Sequence, residues 1–475
     1  MNTKLEEMVK YCSWLLMIVI TAVCAFFVVH NAQWVIGDDA IVMAFSGWGH
    51  WFPMSHTVNP ENGRFFPTSY QMYNLFAPFF DGQMSAHAMY GYHAVVFAFA
   101  VIICFYLVLE IMKNRALEWR YGVALLASVF FIGRNYPSFM NCFTTAWFGT
   151  FLTMAMLLSA YLFYTRKCKW YGIITLLIVI WITYTGENAF VAPLAWGTCG
   201  ILLLWKKSTR WERIFHIGLV ADAIIFLLVY FLFIYLHTDK VYDSSHGSGV
   251  TFVRNMINIL VAQKFLWIAF IVLCARVWDV LKNKAEILFY DLFLLTAGAV
   301  CVGGFILKLN WVLYYNGAVL MCLPAVVYYL NVYMKPYWAA LVMFLFAGWY
   351  GLKVPKTIKE CDRDRQDCHR FMSVVAEQVE KGNTVYLYMP GDEVDTVDGE
   401  ARRWLFAATE TFTRYYTNNK ELKLEKVKIY DGRPGVYITI DKNESLSIEG
   451  NKPIESVGIK IAHNEMRQLD AWIVE

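Results

Sequence analysis

Residues 11–39 read YCSWLLMIVITAVCAFFVVHNAQWVIGDD, an unbroken apolar run from Tyr11 to Val29 followed within a few residues by the acidic pair Asp38-Asp39. The run approaches the roughly 20 apolar residues that carry a helix across a bilayer. It exceeds the roughly 7–15 residues of a signal-peptide core and lacks a clear small-residue cleavage site, so it reads as an uncleaved first span. Lys4 and Lys10 precede it.

Outward from this stretch the pattern repeats. Of 475 residues 58% are hydrophobic, and they are gathered into runs that a soluble core of this length would not need. Hydropathy places about eleven spans, near 11–30, 86–109, 119–133, 142–164, 170–184, 189–205, 214–236, 264–280, 287–307, 312–331 and 337–352. Lys and Arg collect in alternate loops: Lys4 and Lys10; Lys113, Arg115 and Arg120; Arg166, Lys167 and Lys169; Lys206, Lys207, Arg210 and Arg213; Arg276, Lys282 and Lys284; Lys335. The other loops carry only Arg64, Arg134, Lys240, Arg254, Lys264 and Lys308, although two of them are far longer. By the positive-inside rule the N-terminus is cytoplasmic, and an odd number of spans puts the C-terminus outside. The spans near 119–133 and 170–184 are short and end in the polar clusters Arg134-Asn135-Tyr136-Pro137 and Thr185-Gly186-Glu187-Asn188. They read either as helices that stop inside the membrane beside a cavity or as tilted helices with ordinary turns.

The sequence therefore predicts a polytopic α-helical membrane protein, with a transmembrane domain over 1–352 and a small C-terminal α/β soluble domain over 353–475. The latter reads as a helix (357–381), a strand (384–389), a helix (400–416) and strands near 426–430, 435–440 and 457–461. It has no Gly-rich phosphate loop and no defensible Ser/His/Asp arrangement. A net charge of +3 from 41 basic and 38 acidic residues argues against a nucleic-acid partner. Most of the 11 cysteines lie in apolar runs, where Cys is a small hydrophobe, and Cys361 and Cys368 sit too far apart along one helix to bridge.

The first outer loop, 31–85, has no Lys, yet it carries Asp38, Asp39, Glu61, Arg64 and Asp81 among many aromatics. Trp34, Trp48, Trp51, Phe52, Phe65, Phe66, Tyr70, Tyr73, Phe79 and Phe80 predict helices lying at the membrane surface, where such rings prefer to sit. Asp38 and Asp39 follow the first span closely enough to meet a lipid phosphate at the surface, so either fits a general base on an acceptor hydroxyl; Gly-Asp-Asp before Ala-Ile-Val-Met is equally a helix N-cap. Arg64, in Glu61-Asn62-Gly63-Arg64, suits a phosphate or an ion pair with Glu61 or Asp38. Glu187, with Asn188 beside it at a helix start, is an acid between two apolar spans, and Arg134 faces the same side as a second phosphate ligand or as Glu187's partner. Asp222, deep in the seventh span, reads first as an acid hydrogen-bonded to a neighbouring helix and second as a proton relay. His246 lies in a Ser/Gly-rich loop.

Taken together, these residues resemble the GT-C superfamily of polytopic glycosyltransferases, and the segments around Arg64 and Thr185-Gly186-Glu187-Asn188 look like those of bacterial members. The resemblance rests on the cytoplasmic N-terminus, the acids Asp38 and Asp39 after the first span, the long aromatic first loop, the span number and the outer C-terminal domain. It implies transfer of a sugar from a polyprenyl-phosphate donor to a glycan, lipid or protein acceptor at the outer face of a bacterial cytoplasmic membrane. In that family a loop acid is the base or lies beside it, which gives Asp38 or Asp39 the catalytic role. Glu61, Arg64, Arg134, Glu187 and Asn188 become substrate-binding candidates, with Arg64 and Arg134 on the donor phosphate. With no Asp-x-Asp motif near the loop, neither a metal nor a cofactor is expected. Three rivals remain: a transporter or flippase, which would show internal repeats and several intramembrane charges; a glycan polymerase or ligase, which would carry its large loop late in the bundle; and a non-enzymatic scaffold presenting the C-terminal domain, which would not explain a first loop so rich in aromatics and acids.

Overall fold

The computed structural model describes residues 3–45, 50–51, 53–60, 63–75, 84–141, 144–186, 189–238, 253, 257, 261–306, 315–388, 397–428, 430, 432–440, 453–460 and 466–474. Glu61, Asp81, Glu187, Asn188 and His246 lie outside them, as does the side chain of Asp38.

The chain is mostly helical, and the described part of each apolar segment read from the sequence falls largely on a helix. In order these are α1 (Thr3–Val29), α4 (Ala86–Ile111), α5 (Leu117–Phe139), α6 (Thr144–Arg166), α7 (Lys169–Thr183), α8 (Val191–Cys199), α9 (Arg210–Phe233), α10 (Lys264–Lys282), α11 (Phe289–Ile306), α12 (Asn316–Tyr333) and α13 (Pro336–Gly351). Among the described residues six helical stretches are long and apolar enough to cross a membrane: Lys4–Val29, Ala86–Ile111, Ala146–Arg166, Arg210–His237, Asn316–Tyr333 and Pro336–Glu380. Lys169–Thr183, Val191–Leu204 and Phe289–Gly304 are apolar but shorter. The remaining two, α5 and α10, carry Glu118, Arg120 and Arg134, and Lys264, Arg276, Asp279 and Lys282. Length and apolarity thus identify fewer spans than the loop pattern predicts.

Two close approaches set the helix packing. A Cβ on Gly133 would lie 2.4 Å from the backbone carbon of Tyr350, so α5 and α13 cross backbone to backbone, as small residues allow in membrane bundles. A Cβ on Gly200 would lie 2.4 Å from the His216 ring of α9; here α8 widens into a π-helical stretch, Gly200–Leu204. Contrary to the expected end near residue 133, α5 continues through the polar cluster to Phe139. Part of the cluster is paired within the bundle: Asn135 Nδ2 donates to the Phe131 carbonyl (2.9 Å) and the Tyr136 hydroxyl to the Cys24 carbonyl of α1 (2.9 Å), while Asn135 Oδ1 and Arg134 Nη2 are buried without a partner among the described residues. Pro137 falls in the final turn.

At the opposite end of α10 from Lys264, the Arg276 guanidinium meets Asp291 of α11 through two bonds of 2.9 Å each. Arg276 also donates to the Glu286 carbonyl, and Asp291 accepts from the Tyr329 hydroxyl and the Leu288 amide.

The last stretch, Pro336–Glu380, carries the chain out of the bundle into α14 (Val354–Glu380). A five-stranded sheet follows, ordered β4-β3-β5-β7-β6. Its strands are β3 (Val385–Tyr388), β4 (Glu425–Val427), β5 (Gly435–Ile440), β6 (Glu455–Lys460) and β7 (Met466–Val474), with α15 (Val397–Tyr416) between β3 and β4. β3 runs parallel to β4 and β5, and β7 antiparallel to β5 and β6. Alternate residues Val385, Leu387, Val436, Ile438, Leu469 and Ala471 share a core with Phe371, Leu405 and Phe412 of the helices, while Tyr386, Tyr437 and Trp472 cluster on the other face. The sequence did not predict β7, because Arg467, Gln468 and Asp470 interrupt its apolar pattern. Asp470 is nonetheless buried, accepting from Ser456 Oγ (2.5 Å) and Gln468 Nε2 (2.7 Å).

Candidate functional site

The C-terminal domain sits on the first loop. Tyr415 of α15 donates its hydroxyl to the Met84 carbonyl (3.1 Å) and meets the Trp34 ring edge-on at 6.1 Å, which ties the domain to both ends of the loop. Between them lies α2 (Asp38–Phe45), and α15 packs against it. Asn31, in the left-handed conformation (φ 58°), turns the chain out of α1 toward this helix.

The described part of the loop is only partly helical. Besides α2 it holds a single-turn helix, α3 (Met54–Thr57), a two-residue hairpin of β1 (Val58–Asn59) with β2 (Arg64–Phe65), and a 3-10 turn at Gln71–Leu75. Trp34, Phe65, Tyr70 and Tyr73 are buried, and Trp51 is exposed. Trp48, Phe52, Phe79 and Phe80 lie outside the described residues.

Asp39 is 2% exposed. Its Oδ2 accepts from the Val35 amide (3.1 Å) and from the Tyr90 hydroxyl of α4 (2.8 Å), so it ties the linker ahead of α2 to α4. Its charge also suits the N-terminal turn, where unsatisfied amides favour an anion. Behind Tyr90 the network continues. The His93 ring lies 5.2 Å from that of Tyr90, with its Nδ1 3.3 Å from the Phe139 carbonyl and its Nε2 3.3 Å from the Tyr73 hydroxyl. Tyr73 accepts from Trp147 Nε1 (3.2 Å). With Nδ1 donating to the carbonyl, Nε2 is left to accept from Tyr73.

Arg64 lies in the hairpin, held over the ends of α7 and α9: Phe65 packs against Tyr184, Phe226 and Tyr230, and Thr68 bonds to the Trp181 and Tyr184 carbonyls. Arg134 lies elsewhere, at the end of α5, where its Nε donates to Gln263 Oε1 (3.1 Å) and its buried Nη2 has no hydrogen-bond partner among the described residues. Two lysines join it. Lys264 Nζ is 3.6 Å from the Trp349 ring centroid, and Lys353 Nζ is 5.0 Å from Trp349 and 5.2 Å from Tyr350. Lys264 and Arg134 both repel the Lys353 ammonium, and among the described residues no carboxylate pairs with any of the three. The Gly133 crossing is what brings α5 and α13 close enough for this.

The structure therefore gives Asp39, Arg64 and Arg134 separate sets of neighbours. Sequence reading passed over Lys264 and Lys353, treated as a loop charge and a domain boundary. It also passed over Arg365, which lies in the stripe Cys361, Arg365, Cys368 and Met372 of α14, half-buried at Cys361 and buried at the other three, a spacing that the sequence does display. Asp222 accepts from Thr183 Oγ1 (2.7 Å), the neighbouring-helix bond that its first reading expected. The described cysteines are all free, Cys361 and Cys368 included. Among the described residues no three His, Cys, Asp or Glu side chains gather as a metal site requires. No family model matches the chain, and no curated protein matches it.

Proposed function

We propose that this chain is a membrane glycosyltransferase that moves a sugar from a polyprenyl-phosphate donor to a glycan, lipid or protein acceptor at the outer face of the membrane. The observation that carries this reading is the cluster of Arg134, Lys264 and Lys353, three cations without a carboxylate partner among the described residues, set between Trp349 and Tyr350. Cations packed together repel one another, and an anion entering the site would relieve that repulsion, with Arg134 Nη2 as a donor for a phosphate oxygen. Aromatic rings beside the charges fit the headgroup level, where a lipid-borne phosphate resides.

In this reading Asp38 is the base. The burial of Asp39 and the Val35 and Tyr90 donors on its Oδ2 support a loop-holding role for that acid, and the base is taken to be Asp38, the first residue of the same helix. Asp38 takes the acceptor's hydroxyl proton as the oxygen attacks the anomeric carbon. The bond from that carbon to the phosphate oxygen breaks, and polyprenyl phosphate leaves with its added charge facing the cations. One displacement inverts the anomeric centre. Arg64, Glu61, Glu187 and Asn188 are proposed to line the sugar and acceptor side. A transporter or flippase, or a glycan polymerase or ligase, has no comparable observation in its favour.

Purified protein given polyprenyl-phosphate sugars is expected to release polyprenyl phosphate. Arg134→Gln is expected to weaken donor binding by about 10- to 100-fold, the scale of one hydrogen bond to a charged group. Absence of release with every donor tried would sink the glycosyltransferase reading, and unchanged donor affinity would take Arg134 out of the site.

The proposed topology has eleven spans, N-terminus inside and C-terminus outside. It is supported by the Lys/Arg asymmetry and by the contacts of α15 with the first loop, as expected of two segments on one face. A reporter active only in the cytoplasm and fused after Glu475 is expected to be silent. Strong activity from that fusion would overturn the orientation.

A further inference from the structure

We propose that Arg365 is a positioning residue: reaching from the C-terminal domain into the bundle, it fixes, through Tyr90, the place of Asp39 and of the helix that Asp38 begins. The catalytic part of this inference rests on the reading of Asp38 as base.

Arg365 is fully buried. Its Nη1 donates to the Val28 carbonyl (3.2 Å), one of the carbonyls that the end of α1 leaves without a helical partner. Its guanidinium carbon stands 4.1 Å from the centroid of the Tyr90 ring. Nε and Nη2 have no hydrogen-bond partner among the described residues. The helix end and the aromatic face compensate part of the charge, yet a guanidinium buried with two unused donors is a poor stabiliser beside an apolar side chain of the same volume. Packing alone therefore gives no reason for an arginine at this place.

Its neighbours supply one. Tyr90 is held on two sides, its ring under Arg365 and its hydroxyl on Asp39, and Asp39 in turn holds the Val35 amide. The chain of contacts Arg365, Tyr90, Asp39, Val35 thus runs from the C-terminal domain through α4 to the linker that aims α2. Together with Tyr415 on Met84 and Trp34, it makes the domain part of the machinery that sets the loop acid.

The test uses the full chain in nanodiscs. Arg365→Met fills the volume without the charge, and Tyr90→Phe removes only the hydroxyl on Asp39. Both are expected to speed amide exchange at Val35 by about tenfold or more, the scale of one lost hydrogen bond to a charged group, with unfolding temperatures near that of the wild type. Both are also expected to lower kcat by about tenfold while donor KM stays within about twofold. Arg365→Lys, which keeps a cation over the ring, is expected to recover part of each effect. Exchange at Val35 unchanged in both variants would overturn the positioning role. Faster exchange with unchanged kcat would overturn its link to catalysis, and so would a fall in kcat that tracks the unfolding temperature. The exchange measurement needs no activity, so it decides the positioning claim even where the wild type transfers no sugar and the glycosyltransferase reading itself has failed.

Discussion

Asp38→Asn is expected to slow single-turnover transfer by about 10²- to 10⁴-fold while leaving donor binding largely intact, since a carboxylate base contributes to the transition state far more than to the ground state. Asp39→Asn is expected to behave differently. The amide oxygen of Asn still accepts a hydrogen bond, but the negative charge at the start of α2 is lost and both the Tyr90 and Val35 donors are left on a weaker acceptor. That predicts a stability loss of about 1–2 kcal/mol, the usual difference for a bond to a charged group, and a smaller fall in rate than at Asp38. The measurement is transfer by the two variants side by side, with unfolding followed in the same detergent. A wild-type rate in Asp38→Asn would remove it as base. A rate loss at Asp39 exceeding that at Asp38 would move the base to the buried acid and would require the loop to open before chemistry.

The helices of the bundle were readable because long apolar runs have few alternatives in a chain of this kind. Even so, the limits of α5 were not. Arg134, Asn135 and Pro137 signal a break in any window of sequence; the helix runs through them with Asn135 bonded back to the Phe131 carbonyl one turn earlier and with tertiary partners for Tyr136 on Cys24 and for Arg134 on Gln263. β7 was missed for the same reason in reverse: Asp470 looks exposed until Ser456 and Gln468 are placed beside it. Residue type marks where polar groups are, but not which of them will be satisfied.

The candidate site divides along similar lines. The acid pair was legible by its position after the first span, but nothing local separates Asp38 from Asp39. The distinction comes from Tyr90, on a different helix. Lys264 and Lys353 are far apart in the chain and join Arg134 only because Gly133 lets α13 close on α5. Arg365 left a trace in the sequence, since its place in the stripe with Cys361, Cys368 and Met372 marks a buried face. That trace goes unnoticed when the surrounding Asp and Arg residues are read as a solvated helix.

The Arg276–Asp291 pair is expected to dominate stability at the far end of the bundle. Both residues are almost wholly buried, 6% and 7% exposed, and the carboxylate serves the guanidinium, the Tyr329 hydroxyl and the Leu288 amide together. Asp291→Ala leaves the buried arginine with the Glu286 carbonyl, the Tyr333 hydroxyl, the face of Tyr329 and the partly exposed Asp279 at 3.7 Å. Removing one partner of a buried ion pair costs about 3–5 kcal/mol, because the desolvated charge left behind is compensated less well. An exposed pair costs about 1 kcal/mol or less. Asp279 is too exposed to replace Asp291 fully, so the larger value is expected, read as a shift in denaturant midpoint at constant slope. The double variant Arg276→Met with Asp291→Leu removes both charges, and it is expected to regain more than half of the loss, the remainder reflecting the Tyr329 and Leu288 groups that still lack their acceptor. If Asp291→Ala shifts stability by less than about 1 kcal/mol, the pair is screened like a surface one and the helix ends are wetter than their burial indicates. If instead the double variant is as unstable as the single, the energy resides in the Tyr329 and Leu288 bonds, and Asp291 acts as a hydrogen-bond hub whose charge is secondary.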